Sequence, residues 1–169
     1  FFTLGDWVPS NKWILEDITA TLGPADAPVA EDFTHVVRPK VFVDTPAAPG
    51  SKYIRTVFKG SDYKSPDAEV RHDVFVPWKV VPEVLPQLQT GDVVLVLYMA
   101  SGGHMGCDHV GFIVRGEGGA VMFLHSAPPK VRMDELASFA TRFDRVSGFK
   151  FLRLRSNVRQ LVAVELERI

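Results

Sequence analysis

The sequence predicts an α+β fold, an antiparallel sheet with flanking helices, in a single domain over residues 1–169. Three observations carry it. Residues 93–99 read V-V-L-V-L-Y-M, a continuous apolar run of the kind a buried strand needs. Two shorter apolar runs, residues 110–115 and 120–124, are joined by Gly116, Glu117, Gly118 and Gly119, which is a hairpin signal. F-K-F-L-R-L-R, residues 149–155, alternates as a half-buried strand does. Strands that follow one another through hairpins pair antiparallel, so the class is α+β.

The elements follow in order. Residues 1–9 carry Phe1, Phe2, Leu4, Trp7 and Val8 and are expected to dock on the core. Ser10 or Asn11 can cap a helix, and Trp13, Ile14, Ile18 and Leu22 fall near a 3.6-residue period that Gly23-Pro24 ends. The spacing predicts an amphipathic helix over residues 11–22, inside a helical opening segment 1–24, with Trp7 and Trp13 as core anchors. Residues 25–73 read as a loop-rich insertion with one or two short strands, from apolar pieces at 36–37, 41–43 and 53–58. Its prolines forbid a long central strand.

A sheet core with one helix is predicted over residues 74–155. Residues 74–77 form a short strand, and 79–89, with Pro82 and Pro86, a turn or a broken short helix. Thr90-Gly91-Asp92 is a turn. Ala127-Pro128-Pro129 ends the second strand of the hairpin. Asp134 then caps a helix through about Asp144, with Leu136, Phe139, Ala140 and Phe143 on one face. Asn157 caps a last helix in a C-terminal segment, residues 156–169.

Composition excludes several classes. A net charge of -1 and no basic run argue against a general grip on nucleic acid. One cysteine rules out an internal disulfide. No apolar stretch is long enough to span a bilayer. No phosphate loop, dinucleotide fingerprint or G-x-S-x-G elbow is present, and no cofactor is implied.

The reactive residues gather in the hairpin. His109 opens its first run and His125 closes its second, with His104, Cys107 and Asp108 close by. The start of one antiparallel strand lies beside the end of the next. The two imidazoles are therefore expected on adjacent strands, within hydrogen-bond or one-water reach. A base that must hold one tautomer needs a partner on its other ring nitrogen, and a second imidazole can serve. Cys107, two residues from His109, would share a face with it on a regular strand, yet it lacks the helix N-terminus that favours a thiolate. It reads either as a nucleophile or as a small half-buried residue. His104, Cys107 and His109 are also chemically able to bind zinc, although H-x-x-C-x-H is not a strong zinc spacing and no metal ligand is assigned. Asp108, Cys107 and Ser126, which flank the histidines, are the candidate site-lining residues.

The runs T-G-D-V-V, D-H-V-G-F-I-V and F-L-H-S-A, in that order, resemble the NlpC-type papain-like cysteine hydrolases of bacterial cell walls. More narrowly, the chain resembles their N-acetylmuramoyl-L-alanine amidase-like branch. That resemblance rests on G-D-W-V and L-E-D-I-T-A-T-L-G near the start, V-F-V-P before the G-D strand, G-x-D before H-V-G, and the closing G-F-K-F-L-R. It implies a papain-like fold in which His109 is the general base and His125 the residue that orients it. It also implies a peptidoglycan fragment or muropeptide as substrate, in the bacterial cell envelope, periplasm or outside the cell. The family's nucleophilic cysteine lies on a helix upstream of the segment matching Gly5-Asp6-Trp7, and Cys107 does not take its position. The expectation is an incomplete domain whose further partner is the N-terminal segment of the same protein. A cell-wall peptide-binding module without turnover is the alternative, and a metal-dependent hydrolase using His104, Cys107 and His109 a third reading.

Overall fold

The computed structural model describes residues 8, 11–37, 69–100, 102–143 and 145–160. Its strands are β1 (Leu15–Asp17), β2 (Glu31–Val37), β3 (Glu69–Pro77), β4 (Val93–Met99), β5 (Met105–Arg115), β6 (Val121–Ala127), β7 (Lys130–Glu135) and β8 (Val146–Leu154). Two single-turn helices that lie wholly within the described residues, α1 (Val81–Val84) and α2 (Leu136–Phe139), run into 3-10 turns. The strands form one sheet in the order β2-β3-β8-β4-β5-β6-β7, with β1 also paired to β8. Among the described residues every strand pairing is antiparallel. A mainly antiparallel sheet with few short helices is the α+β class expected.

β4 sits between β8 and β5. Its first five residues are all buried because both faces of the sheet are covered. Val94 and Val96 point into a first core with Ile113, Phe123, Phe149 and Phe151, closed by Val81 and Val84 of α1 and Leu136 and Phe139 of α2. Leu95 and Leu97 point into a second core with Leu15, Phe33, Phe75, Met105 and Leu152. The turn before β4 is tied to β5. Gly91, at φ +95°, donates its N–H to Ile113 O at 2.9 Å, and Ile113 N donates to Asp92 O at 2.8 Å. Arg115 sets the other end. Its guanidinium donates to the carbonyls of Leu85, Pro86 and Leu88, where a short helical run ends and acceptors are unfilled.

The helix expected over residues 11–22 is not formed. Residues 15–17 are β1, and a 3-10 turn, Thr19–Thr21, follows. The backbone there bonds to β8 instead of to itself: Ile18 N donates to Phe151 O, and Arg155 N to Ile14 O. The Thr19 hydroxyl and Phe151 exchange two further hydrogen bonds. Ile14, Ile18, Thr19 and Thr21 are β-branched and lose rotamer freedom in a helix, so pairing to β8 wins. Trp13 is 45% exposed and anchors no core.

The helix expected to start at Asp134 also begins later. Lys130–Glu135 turns back after Pro128-Pro129 and pairs with β6 as β7, so Asp134 stands opposite Phe123. Only Leu136–Phe139 is α-helical, and Ala140–Arg142 is 3-10. β8 is buried on both faces rather than half-buried, and Lys150 in its middle is fully buried. The ammonium of Lys150 is compensated by Asp73 at 2.6 Å and by Asp17, which come from β3 and β1. The broken helix over 79–89 and the late helix between the last two strands are as expected. Within the loop-rich segment, residues 36–37 belong to β2. The pieces at 41–43 and 53–58, residues 1–7 and most of the last expected helix lie outside the described residues.

Candidate active site

Three neighbouring strands and α2 build the site. Gly111 on β5 stands directly opposite His125 on β6. His109 precedes Gly111 by two residues and so shares its face, diagonal to His125. The glycine makes that diagonal passable. A Cβ at 111 would lie 2.4 Å from Leu124 O, 2.6 Å from the Phe123 ring and 2.9 Å from the His125 Cβ. With nothing there, His109 Nε2 and His125 Nδ1 meet at 2.7 Å. The glycine of H-V-G thus clears room for the two rings.

His125 is only 6% exposed, and a buried ring needs partners on both nitrogens. Its Nε2 finds Asp134 Oδ2 at 2.9 Å. Asp134 reaches it because it faces Phe123 across the β6–β7 ladder, which puts it on the His125 face two pairs along. The other carboxylate oxygen accepts from Arg142 Nη1 at 2.7 Å. The hydrogen bond with His125 holds the Asp134 carboxyl below its ordinary 3.8; Arg142 pulls the same way, against the partial burial that opposes both.

Aromatic rings wall the histidines. Phe123 stacks on His125 at 4.7 Å, Phe139 meets His125 edge-on at 5.2 Å, and Phe139 lies near-parallel to His109 at 6.3 Å. Such walls exclude water and strengthen the hydrogen bonds between the rings. His109, His125, Asp134 and Arg142 therefore form one continuous chain of polar contacts that starts from a partly exposed imidazole.

The expected meeting of His109 and His125 is formed. The other flanking residues go elsewhere. The β4–β5 ladder shifts register so that Val96 faces His109 while Leu97 faces Cys107. Asp108 is the extra residue of this bulge. Val96 and Leu97 belong to opposite cores, so Cys107 packs with Leu97 on the second core and His109 lies on the first-core face. The shared face expected from the two-residue spacing is removed by the bulge. The Cys107 thiol donates to His109 O at 3.3 Å, a contact with the strand backbone and not with the ring. The side chain of Asp108 lies outside the described residues. Ser126 follows His125 on a regular strand, faces the other way and is exposed. His104 Nδ1 meets the Thr34 hydroxyl at 2.9 Å. Among the described residues, no group of three or more His, Cys, Asp or Glu is gathered as a metal site. Asp92 is the turn residue expected, buried against Arg153.

Asp134 and Arg142 were not expected in the site. The usable signal was the alternation K-V-R-M-D-E after Pro128-Pro129, which is a strand pattern behind a turn. D-E-L-A-S-F looks equally like a helix start, and nothing local separates the two.

A profile of the AmiA-like, N-acetylmuramoyl-L-alanine amidase-like family matches residues 1–135. The chain belongs to this family. The matched span of this AmiA-like chain takes in His109, His125 and Asp134 and stops short of Arg142. No curated protein matches the chain significantly. Among solved structures it is similar to an N-acetylmuramoyl-L-alanine amidase from Bacteroides uniformis. The 1.07 Å structure of that protein is 16% identical, with 90% of this chain and 64% of that chain covered and a TM-score of 0.56. The 1.30 Å structure is 15% identical, covers 90% and 63%, and also gives 0.56. The AmiA-like chain thus spans just under two thirds of that amidase's length, and the likeness is one of fold.

Proposed function

We propose that this chain is the histidine-bearing part of a peptidoglycan amidase with an NlpC-type, papain-like fold. It would cleave the amide between N-acetylmuramic acid and L-alanine by thiolate attack. The observation that carries the reading is the 2.7 Å contact between His109 Nε2 and His125 Nδ1, backed by apolar rings. It supports reading His109 as a base and His125 as the partner that orients it. The family supports the substrate class.

In the proposed reaction the thiol gives its proton to His109, and the thiolate attacks the lactyl carbonyl carbon. The carbon–nitrogen bond then breaks, and His109 returns the proton to the leaving amine of L-alanine. A muramoyl thioester remains. His109 next takes a proton from water, whose oxygen attacks the thioester, and the thiol is regenerated with the free lactyl carboxylate. His125 fixes the His109 ring throughout. Cys107 packs on the opposite face, so the thiolate in this reading comes from a part of the protein outside this sequence. The substrate class puts the working location in the cell envelope, the periplasm or outside the cell. Among the described residues no helix is long and apolar enough to cross a membrane.

The test is muropeptide cleavage by the full-length protein. His109→Ala should lower turnover by about 10²–10⁴-fold, the usual contribution of a general base. Undiminished cleavage would sink the mechanism. One observation favours a second reading, a wall-peptide binding module without turnover: the cysteine of this chain faces away from the histidines. Muropeptide binding by a full-length protein that cleaves nothing would support it.

A further inference from the structure

We infer that Asp134, held by Arg142, is a positioning residue that sets the tautomer of both histidines and thereby makes His109 Nδ1 the basic nitrogen. The inference rests on the amidase reading for its catalytic meaning, and on geometry alone for its tautomers.

An ionised carboxylate only accepts hydrogen bonds. Asp134 Oδ2 lies 2.9 Å from His125 Nε2, so that nitrogen carries a hydrogen and donates. A neutral His125 then has a bare Nδ1. His109 Nε2 lies 2.7 Å from that Nδ1, so it must be the donor of the pair. A neutral His109 with its hydrogen on Nε2 keeps its lone pair on Nδ1. Each step is forced by the one before, and the first is forced by the charge on Asp134. Arg142 guards that charge. Its Nη1 donates to Oδ1 at 2.7 Å, which occupies the second oxygen and fixes the carboxylate plane. The lowered carboxyl of Asp134 agrees with a group kept ionised.

Charge magnitudes separate the two roles. Arg142 is 52% exposed at its side chain, so its ion pair adds little to stability. Asp134 is mostly buried and, among the described residues, is the partner of His125 Nε2. In a serine-hydrolase triad, changing the buried Asp to Asn reverses the tautomer and lowers turnover about 10⁴-fold with the geometry intact. An asparagine at 134 can likewise donate from its amide to His125 Nε2. That would put the His125 hydrogen on Nδ1, make His109 Nε2 the acceptor and move the His109 hydrogen to Nδ1, where a base cannot carry it.

The test is ¹⁵N NMR of the imidazoles in the chain as it stands, on the plateau where both rings are neutral, with His109→Gln and His125→Gln for assignment. The wild type should show pyrrole-type Nε2 and pyridine-type Nδ1 in both rings. Folded Asp134→Asn should reverse both, and Asp134→Glu should restore the wild-type pattern at least in part. Arg142→Ala should keep the pattern at neutral pH. A wild type with hydrogen on either Nδ1, or a folded Asp134→Asn that keeps both hydrogens on Nε2, overturns the inference. If Asp134→Asn fails to fold, the wild-type spectrum still decides. Turnover is not read in this experiment. Correct tautomers in a full-length protein that cleaves nothing would fail the amidase reading and leave the positioning role standing.

Discussion

Asp92 and Arg153 are locked together at two points, Nε to Oδ1 at 2.8 Å and Nη2 to Oδ2 at 2.7 Å. Asp92 Oδ2 also accepts the backbone N–H of Gln89, so the carboxylate ties the turn before β4 to β8. Asp92 is 2% exposed and Arg153 only partly so. Asp92→Ala should cost about 2–4 kcal/mol in chemical denaturation, because it strands a guanidinium and an amide. The hydrogen bond to Asp92 raises the Arg153 guanidinium further above its ordinary range. A raised cationic group gives stability that is full below its unfolded value, so the loss should be constant from neutral pH up to strong alkali.

Gly111→Ala tests the close packing between the histidine strands. The new Cβ would meet a backbone carbonyl at 2.4 Å, which no side-chain rotation relieves. Overpacking of this kind costs about 1–3 kcal/mol, and here the strands must part to accept it. Denaturation should show that loss, and NMR should show the His109–His125 hydrogen bond weakened even in the folded variant.

Cys107→Ala should leave cleavage by the full-length protein unchanged. The thiol lies with Leu97 on the second core, away from the rings. The loss of one weak thiol donor to His109 O is worth about 1 kcal/mol or less. A drop in turnover beyond that of a mildly destabilised control would put Cys107 back into the chemistry.

Acid should weaken the Asp134 contacts in a defined direction. Its folded carboxyl lies below the ordinary 3.8, so the unfolded chain takes up its proton first. The stability it contributes is full above that ordinary value and is lost as pH falls through the folded one. The stability gap between wild type and Asp134→Asn should therefore be steady at neutral pH and shrink below about pH 4. A gap that widens on acidification would contradict the assignment of an ionised carboxylate.

Lys150 supplies an asymmetric pair of variants. Replacing both Asp17 and Asp73 with alanine leaves a fully buried ammonium without its carboxylates, at a cost of about 3–5 kcal/mol. Lys150→Met leaves two carboxylates that already have some access to water, and should cost clearly less in the same denaturation experiment.

The parts of this fold that were legible in the sequence are those whose signals are local. β4 announces itself by seven consecutive apolar or aromatic residues. The meeting of His109 and His125 follows from one glycine turn and strand alternation. The parts that were not legible depend on distant partners. The segment around β1 and the turn after it reads as a helix because its hydrogen bonds go to β8, 132 residues away at Thr19–Phe151. The run F-K-F-L-R-L-R suggests a half-buried strand, and the full burial of Lys150 in it depends on carboxylates from other strands, one of them 77 residues off. Asp134 and Arg142 needed a β7 pairing that the helix-cap pattern concealed, and Cys107 needed a bulge that leaves no mark in the sequence.

That bulge has a consequence for comparing lengths. Because Asp108 is the surplus residue, a shorter chain in which Cys107 was followed at once by His109 would keep both side chains on the faces they hold now. A change of letter at 108 and a loss of the position are thus different events. The first leaves the path of the strand alone, while the second removes the kink beside the imidazole without turning it to the other face. At this point of the chain a gap in an alignment carries more geometry than a mismatch.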